Sequence, residues 1–229
     1  MSSESLLYSD HVSSSVQLIA LVRHARSIAN VDPRVYKTMA DHAIPLVHPA
    51  DDPGALLAGR QIGALGLDPA TVCVWCSTYL RCAQTEHLVV GEAFGARAHE
   101  LERRSSFLLR EQEFGDWDSL TDEEMAAADP VRYARRQMLT DAFGRFYFRY
   151  PAGESRADVT QRVTMFLGKL HRTRYTSHII FLHGVTQRAF RMAWMNKGVE
   201  WFEGAVNPPS ASVLLIQRDA NGRWAERYL

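Results

Sequence analysis

The sequence predicts a three-layer α/β/α fold with a mainly parallel sheet. Short apolar runs rich in β-branched residues alternate with stretches of helical periodicity, the pattern of parallel strands joined by helices. Two of those runs end in a histidine, His24 and His183, each directly before a helix start. The chain has 229 residues, and a single α/β domain can reach roughly 250. One domain over residues 16–229 is therefore expected, behind a disordered, serine-rich tail at 1–15.

The elements follow in order. Val16–Arg23 (VQLIALVR) reads as a buried strand, and Pro33 interrupts the helix that begins after Ser27. Residues 31–53 hold four prolines and read as a long loop. Gly54–Leu67 is helical, Thr71–Cys76 a second buried strand, Thr78–Val90 a helix and Ala96–Leu101 a third strand. Thr121 and Glu124 form a capping-box pattern that starts a helix. Residues 130–150 are aromatic and arginine-rich, an amphipathic helix or a lid. Ser155 and Asp158 open an amphipathic helix to about Thr173. His178–His183 is a strand and Gly184–Asn196 a helix with Gly198 as its stop, while Ala211–Gln217 and Arg223–Arg227 pair around Asn221-Gly222. Residues 103–153 read as an insertion that covers the sheet.

Composition narrows the function. Lys+Arg and Asp+Glu are 26 each, so no broad basic field for nucleic acid is expected. No apolar stretch nears the ~20 residues of a membrane span, and the N-terminus lacks a signal-peptide pattern. The three cysteines, Cys73, Cys76 and Cys82, fit free thiols in a reducing compartment, so a cytoplasmic location is expected. Cys73 and Cys76 share one strand with their side chains on opposite faces, which argues against a redox or zinc pair. The remaining histidines show no paired ligand spacing, so no metal is expected.

The chemistry gathers at the strand ends. Ligands of open α/β sheets bind at the carboxyl ends of strands, and helix N-termini there favour anions. His24 is flanked by Arg23 and Arg26, and Arg81 follows the second strand in the same way. Two imidazoles, several guanidiniums and free backbone N–H groups suit a phosphoryl group. No Walker-type glycine loop is present.

Five blocks carry a resemblance. Arg23-His24-Ala25-Arg26-Ser27-Ile28-Ala29-Asn30 resembles the RHG-x-S-x-x-N signature of the histidine phosphatase superfamily, which includes the cofactor-dependent phosphoglycerate mutases. Ser77–Thr85 resembles its S-x-L-x-R-A-x-Q-T block. Leu109–Gly115 resembles the proton-donor block, Gly153-Glu154-Ser155 with Asp158 and Arg162 the GES segment, and His183–Arg188 the second-histidine block. The resemblance implies the phosphoglycerate mutase-like fold and the following roles. His24 attacks phosphorus; Arg23, Arg81 and His183 bind the phosphoryl oxygens; Asn30 and the Gly184 N–H add donors; Glu111 protonates the leaving oxygen. Arg26, Ser27, Arg104, Tyr133 and Arg145 are weaker candidates for substrate contacts.

The departures are informative. Ala25 stands where the family usually has glycine, which would strain a left-handed backbone there. Gln112, Glu113 and Phe114 replace the Arg, His and Tyr that help mutases hold phosphoglycerate, and Arg26 replaces an acidic or amide residue. The expectation is a metal-independent phosphatase acting on a small phosphorylated metabolite through phosphohistidine, without a cofactor. The alternatives are a phosphoglycerate mutase, which would need a phosphorylated activator such as 2,3-bisphosphoglycerate, and a non-catalytic phosphate- or phosphoprotein-binding module. No nucleic-acid or membrane partner is expected, and the resemblance admits a homodimer.

Overall fold

The computed structural model describes residues 16–229; the tail expected at 1–15 lies outside the described residues. Strands β1 (Leu18–Arg23), β2 (Val72–Cys76), β3 (Glu102–Ser105), β4 (Ser177–Leu182), β5 (Val213–Arg218) and β6 (Trp224–Tyr228) form one sheet in the order β3-β2-β4-β1-β5-β6. The first four run parallel; β5 and β6 are antiparallel and close the far edge.

The helices are α1 (Ile28–Val31), α2 (Gly54–Gly63), α3 (Leu80–Phe94), α4 (Asp122–Ala128), α5 (Pro130–Phe143), α6 (Arg156–Leu170), α7 (Gly184–Trp194) and α8 (Val199–Gly204). Alternation along the strands separates two cores. Ile19, Leu21, Trp75, Ile180 and Leu182 face α6 and α7, packing on Val163, Phe166, Ala189 and Phe190. Ala20, Val22, Val74, Ile179 and Phe181 face α2 and α3, packing on Ala58, Ile62, Cys82 and Val89. Strands covered on both faces carry no polar alternation, which is why they read as continuous apolar runs. Cys73 joins the first core and Cys76 the second, so the two thiols lie on opposite sides of the sheet.

Two expectations are corrected. Ala96–Leu101 is not a strand: after Gly95, at φ 53°, the chain winds through a 3-10 turn to Glu100 and only then extends as β3. That edge strand, Glu-Arg-Arg-Ser, is mostly exposed, so it has no apolar run to reveal it and exists through its pairing with β2. Gly198 does not stop α7 either. Asn196 takes the left-handed turn (φ 50°), and Gly198, at φ −78°, caps the start of α8 instead. Asparagine tolerates that conformation because its amide bonds locally.

The capping boxes at Thr121/Glu124 and Ser155/Asp158 form as read. The 130–150 stretch is α5, broken at Gly144 (φ 77°) and continued without regular structure. No helix among the described residues is long and apolar enough to cross a membrane.

Candidate active site

The two histidines meet because their strands are neighbours in register. Arg23 of β1 lies opposite Leu182 of β4, and the His24 N–H continues the ladder to the Leu182 carbonyl at 3.0 Å. One step further sets His24 beside His183, with ring centroids 5.2 Å apart. The Ser77 N–H bonds the Phe181 carbonyl at 3.0 Å, which brings the end of β2 to the same place.

His24 is buried, and its Nδ1 lies 2.7 Å from the Ala25 carbonyl oxygen. A carbonyl only accepts, so Nδ1 carries the proton and Nε2 is left with a free lone pair. Burial first, and then the Arg81 charge, push the His24 pKa down to about 3. Ala25 is not among the residues with a left-handed backbone, so the methyl group there brings no strain. The Ala25 N–H donates to Thr85 Oγ1 at 2.9 Å, which anchors the turn.

His183 is fully buried and caps α7. Burial, followed by Arg81 and His24, holds its pKa well below the usual range. Two neutral imidazoles therefore face each other without charge repulsion. Ser77 Oγ lies 2.9 Å from His183 Nε2, and the Tyr79 ring stands edge-on at 5.0 Å. Arg81 is 2% exposed; its Nη1 donates to the Asp41 carbonyl at 2.6 Å and to Asp41 Oδ1 at 2.7 Å. The Arg23 guanidinium donates to the Pro208 carbonyl. Among the described residues the Nε atoms of Arg23 and Arg81 are buried with no hydrogen-bond partner, which is costly for N–H groups unless an anion accepts from them.

Glu111 is held by the start of α7. Its Oε2 accepts from the Val185 N–H at 3.2 Å, and its Oε1 from the Thr186 N–H at 3.3 Å and the Gln112 N–H at 3.0 Å. The Glu111 charge acts on the Arg23 guanidinium, so the carboxyl belongs to the same electrostatic cluster. Behind it, Arg162 donates to the carbonyls of Leu108, Arg110 and Glu111 and to both oxygens of Glu154. Gly115 (φ 59°) and Gly153 let the two backbones touch: a Cβ at Gly115 would collide with the Pro151 carbonyl. Sequence reasoning gave Ser77, Asp41 and Thr186 no role, because each acts through a contact made by folding.

The weaker candidates divide. Gly184 starts α7 and packs against Asn207. Asn30 Oδ1 accepts from the Ser27 N–H and Oγ, both at 3.0 Å, so this pair is engaged in capping α1, and Arg26 is exposed. Arg104 is turned away. Its Nε donates to Glu102 at 2.8 Å, and it lines a separate cavity with Lys169 and Arg172, because β3 puts it on the outer edge. Tyr133 bonds Gln137 at 2.6 Å within α5. Arg145 is exposed and acts electrostatically on Arg156 rather than on the histidines.

The chain is 33% identical over 226 residues to phosphoglycerate mutase-like protein AT74 of Arabidopsis thaliana, covering 90% of this chain and 66% of that one. It is 30% identical over 119 residues to the broad-range acid phosphatase DET1 of Saccharomyces cerevisiae, covering 48% of this chain and 33% of that one. The chain thus spans just under two thirds of the first relative's length. A mycobacterial glucosyl-3-phosphoglycerate phosphatase solved with vanadate superposes with a TM-score of 0.68 at 22% identity, covering 93% of this chain and 98% of that one, which shows the shared fold. The sequence profile of the histidine phosphatase superfamily (branch 1) matches residues 19–228, and the chain belongs to that family.

Proposed function

We propose that this chain is a metal-independent phosphomonoesterase that works through a phosphohistidine on His24. The observation that carries the reading is the neutral His24 imidazole, its Nδ1 bonded to the Ala25 carbonyl and its ring 5.2 Å from that of His183, beside Arg81 and Arg23. In the first step the His24 Nε2 lone pair attacks phosphorus and the P–O ester bond breaks. The leaving oxygen takes the proton from Glu111. Arg23, Arg81 and His183 bind the phosphoryl oxygens, where fixed positive charge and N–H donors lower the barrier. The Glu111 carboxylate so formed is stabilised by the Val185 and Thr186 N–H groups. In the second step it takes a proton from water, whose oxygen attacks phosphorus. The P–N bond breaks, inorganic phosphate leaves, and Glu111 again holds its proton.

Hydrolysis is favoured over mutase chemistry by the acid loop. Glu113 accepts from the Tyr79 hydroxyl at 2.9 Å and Phe114 packs edge-on against Tyr150. Neither side chain offers a cation to a glycerate carboxylate. The substrate class is a small phosphate monoester. The experiment is trapping of the intermediate by an alkaline quench. Wild-type protein should hydrolyse p-nitrophenyl phosphate and, quenched in turnover, carry base-stable, acid-labile phosphate. His24→Ala should lose both. Retention of both by the variant overturns the role of His24.

A further inference from the structure

Beside Glu111 and Arg81 opens a cavity of about 330 Å³, walled by residues of the 33–41 loop and of the 111–121 segment. Arg81 and Glu111 both line it, so it adjoins the groups that the proposed reaction assigns to the phosphate and to the leaving oxygen. Two aromatic side chains, Tyr36 and Phe114, supply its apolar walls. Its charged lining is Asp41, Glu111 and Asp118 against the single guanidinium of Arg81. Asp41 already pairs with Arg81 at 2.7 Å, and Glu111 is held by the N–H groups of α7. Among the described residues Asp118 forms no ion pair. It is presented by a turn whose next residue, Ser119, is held in the left-handed region at φ 61°. Such backbone outliers in non-glycine residues cluster at binding sites.

We propose that Asp118 is a specificity-determining residue that selects phosphate monoesters of amino alcohols, the ammonium group lying between Asp118 and the faces of Tyr36 and Phe114. Aromatic faces together with a carboxylate are the combination that recognises an alkylammonium ion. A carboxylate-bearing alcohol would meet Asp118 and Asp41 as like charges in a partly desolvated space, and is rejected. Burial and the neighbouring Asp41 raise the Asp118 pKa, a strain that a bound cation relieves.

The inference rests on the phosphomonoesterase reading, and the test separates the two. Values of kcat/KM are measured at pH 7.5 for phosphoethanolamine, glycerol phosphate and phosphoglycolate, which carry a cationic, neutral and anionic alcohol. Wild-type protein should prefer the cationic substrate to the neutral one by about tenfold, the effect of one partly screened charge pair, and should turn over the anionic one least. Asp118→Asn should bring the cationic-to-neutral ratio close to one, and Asp118→Ser reports the same ratio if the amide variant does not fold. A wild-type ratio at or below one, or a ratio unmoved in the variants, overturns the assignment of Asp118. Failure to hydrolyse these three and p-nitrophenyl phosphate above the level of His24→Ala overturns the phosphatase reading instead, whereas turnover of p-nitrophenyl phosphate alone overturns the assignment of Asp118.

Discussion

Arg162 and Glu154 are joined twice, Nε to Oε1 at 2.9 Å and Nη2 to Oε2 at 3.0 Å. The pair is nearly buried, and Arg162 spends its other donors on the carbonyls of Leu108, Arg110 and Glu111. The fork therefore fixes the backbone that carries Glu111, a geometry that lysine does not reproduce. Removing one partner of such a pair costs about 3–5 kcal/mol. Arg162→Ala should lower unfolding stability by about that much in urea. Arg162→Lys should keep most of the stability but reduce kcat more than KM, since the acid is displaced while the phosphate cup stays intact. An equal loss of stability in both variants, with kcat unchanged in the lysine form, would count against a positioning role.

The depressed pKa of His24 sets its state in the free protein. With the value near 3, the ring is neutral across the physiological range and down to about pH 4. If His24 is the nucleophile, kcat/KM should show no loss between pH 7 and pH 5 from protonation of this ring. Long-range ¹H–¹⁵N spectra should show the Nδ1–H tautomer at pH 5, as the contact with the Ala25 carbonyl requires. An imidazolium signal at pH 5 would contradict both the burial and the nucleophile assignment.

The fold and the histidine pair were legible for one reason. Strands covered on both faces leave unbroken apolar runs, and Leu18–Arg23 and Ser177–Leu182 both deliver their histidines at the run's end. What escaped was structure made by backbone pairing or by long-range contact. The exposed β3 carries no hydrophobic signal. Asn196 takes the left-handed turn expected of a glycine. Asp41 reaches Arg81 from 40 positions away, across a loop with no periodicity to place it. Arg104, one of the weaker candidates for substrate contact, lies on an edge strand and lines a cavity apart from the cup.

Asp41 competes for the guanidinium that the phosphate reading assigns to substrate. Arg81 Nη1 donates to both its carbonyl and its carboxylate. A phosphate arriving at Arg81 finds Nε unpaired, but Asp41 holds Nη1 and opposes the incoming charge, and charge-assisted bonds of this kind are the strong ones. Asp41→Asn keeps the backbone contact and removes the charge. Inorganic phosphate and vanadate should inhibit this variant several-fold more tightly, read as a lower Ki with glycerol phosphate, whose alcohol is neutral, as substrate. A Ki unchanged or raised would mean that the ion pair orients Arg81 for binding rather than opposing it.

His178 gives a stability test that leaves the site untouched. It is fully buried within β4; its Nδ1 accepts from the Trp75 indole N–H at 3.3 Å, and burial lowers its pKa to about 4. The unfolded chain titrates this group near 6.5. Between those values the unfolded state binds the extra proton, so stability rises with pH. The contribution is complete above about pH 6.5 and is lost as pH falls toward 4, at up to ~1.4 kcal/mol per pH unit. His178→Asn keeps an acceptor near the indole and removes the titration. The fall in unfolding free energy from pH 7.0 to pH 4.5 should be smaller in the variant by about 2–3 kcal/mol. The buried His24 and His183 are present in both proteins and cancel in the difference. An equal fall in the two proteins would mean that the His178 ring is protonated in the folded state.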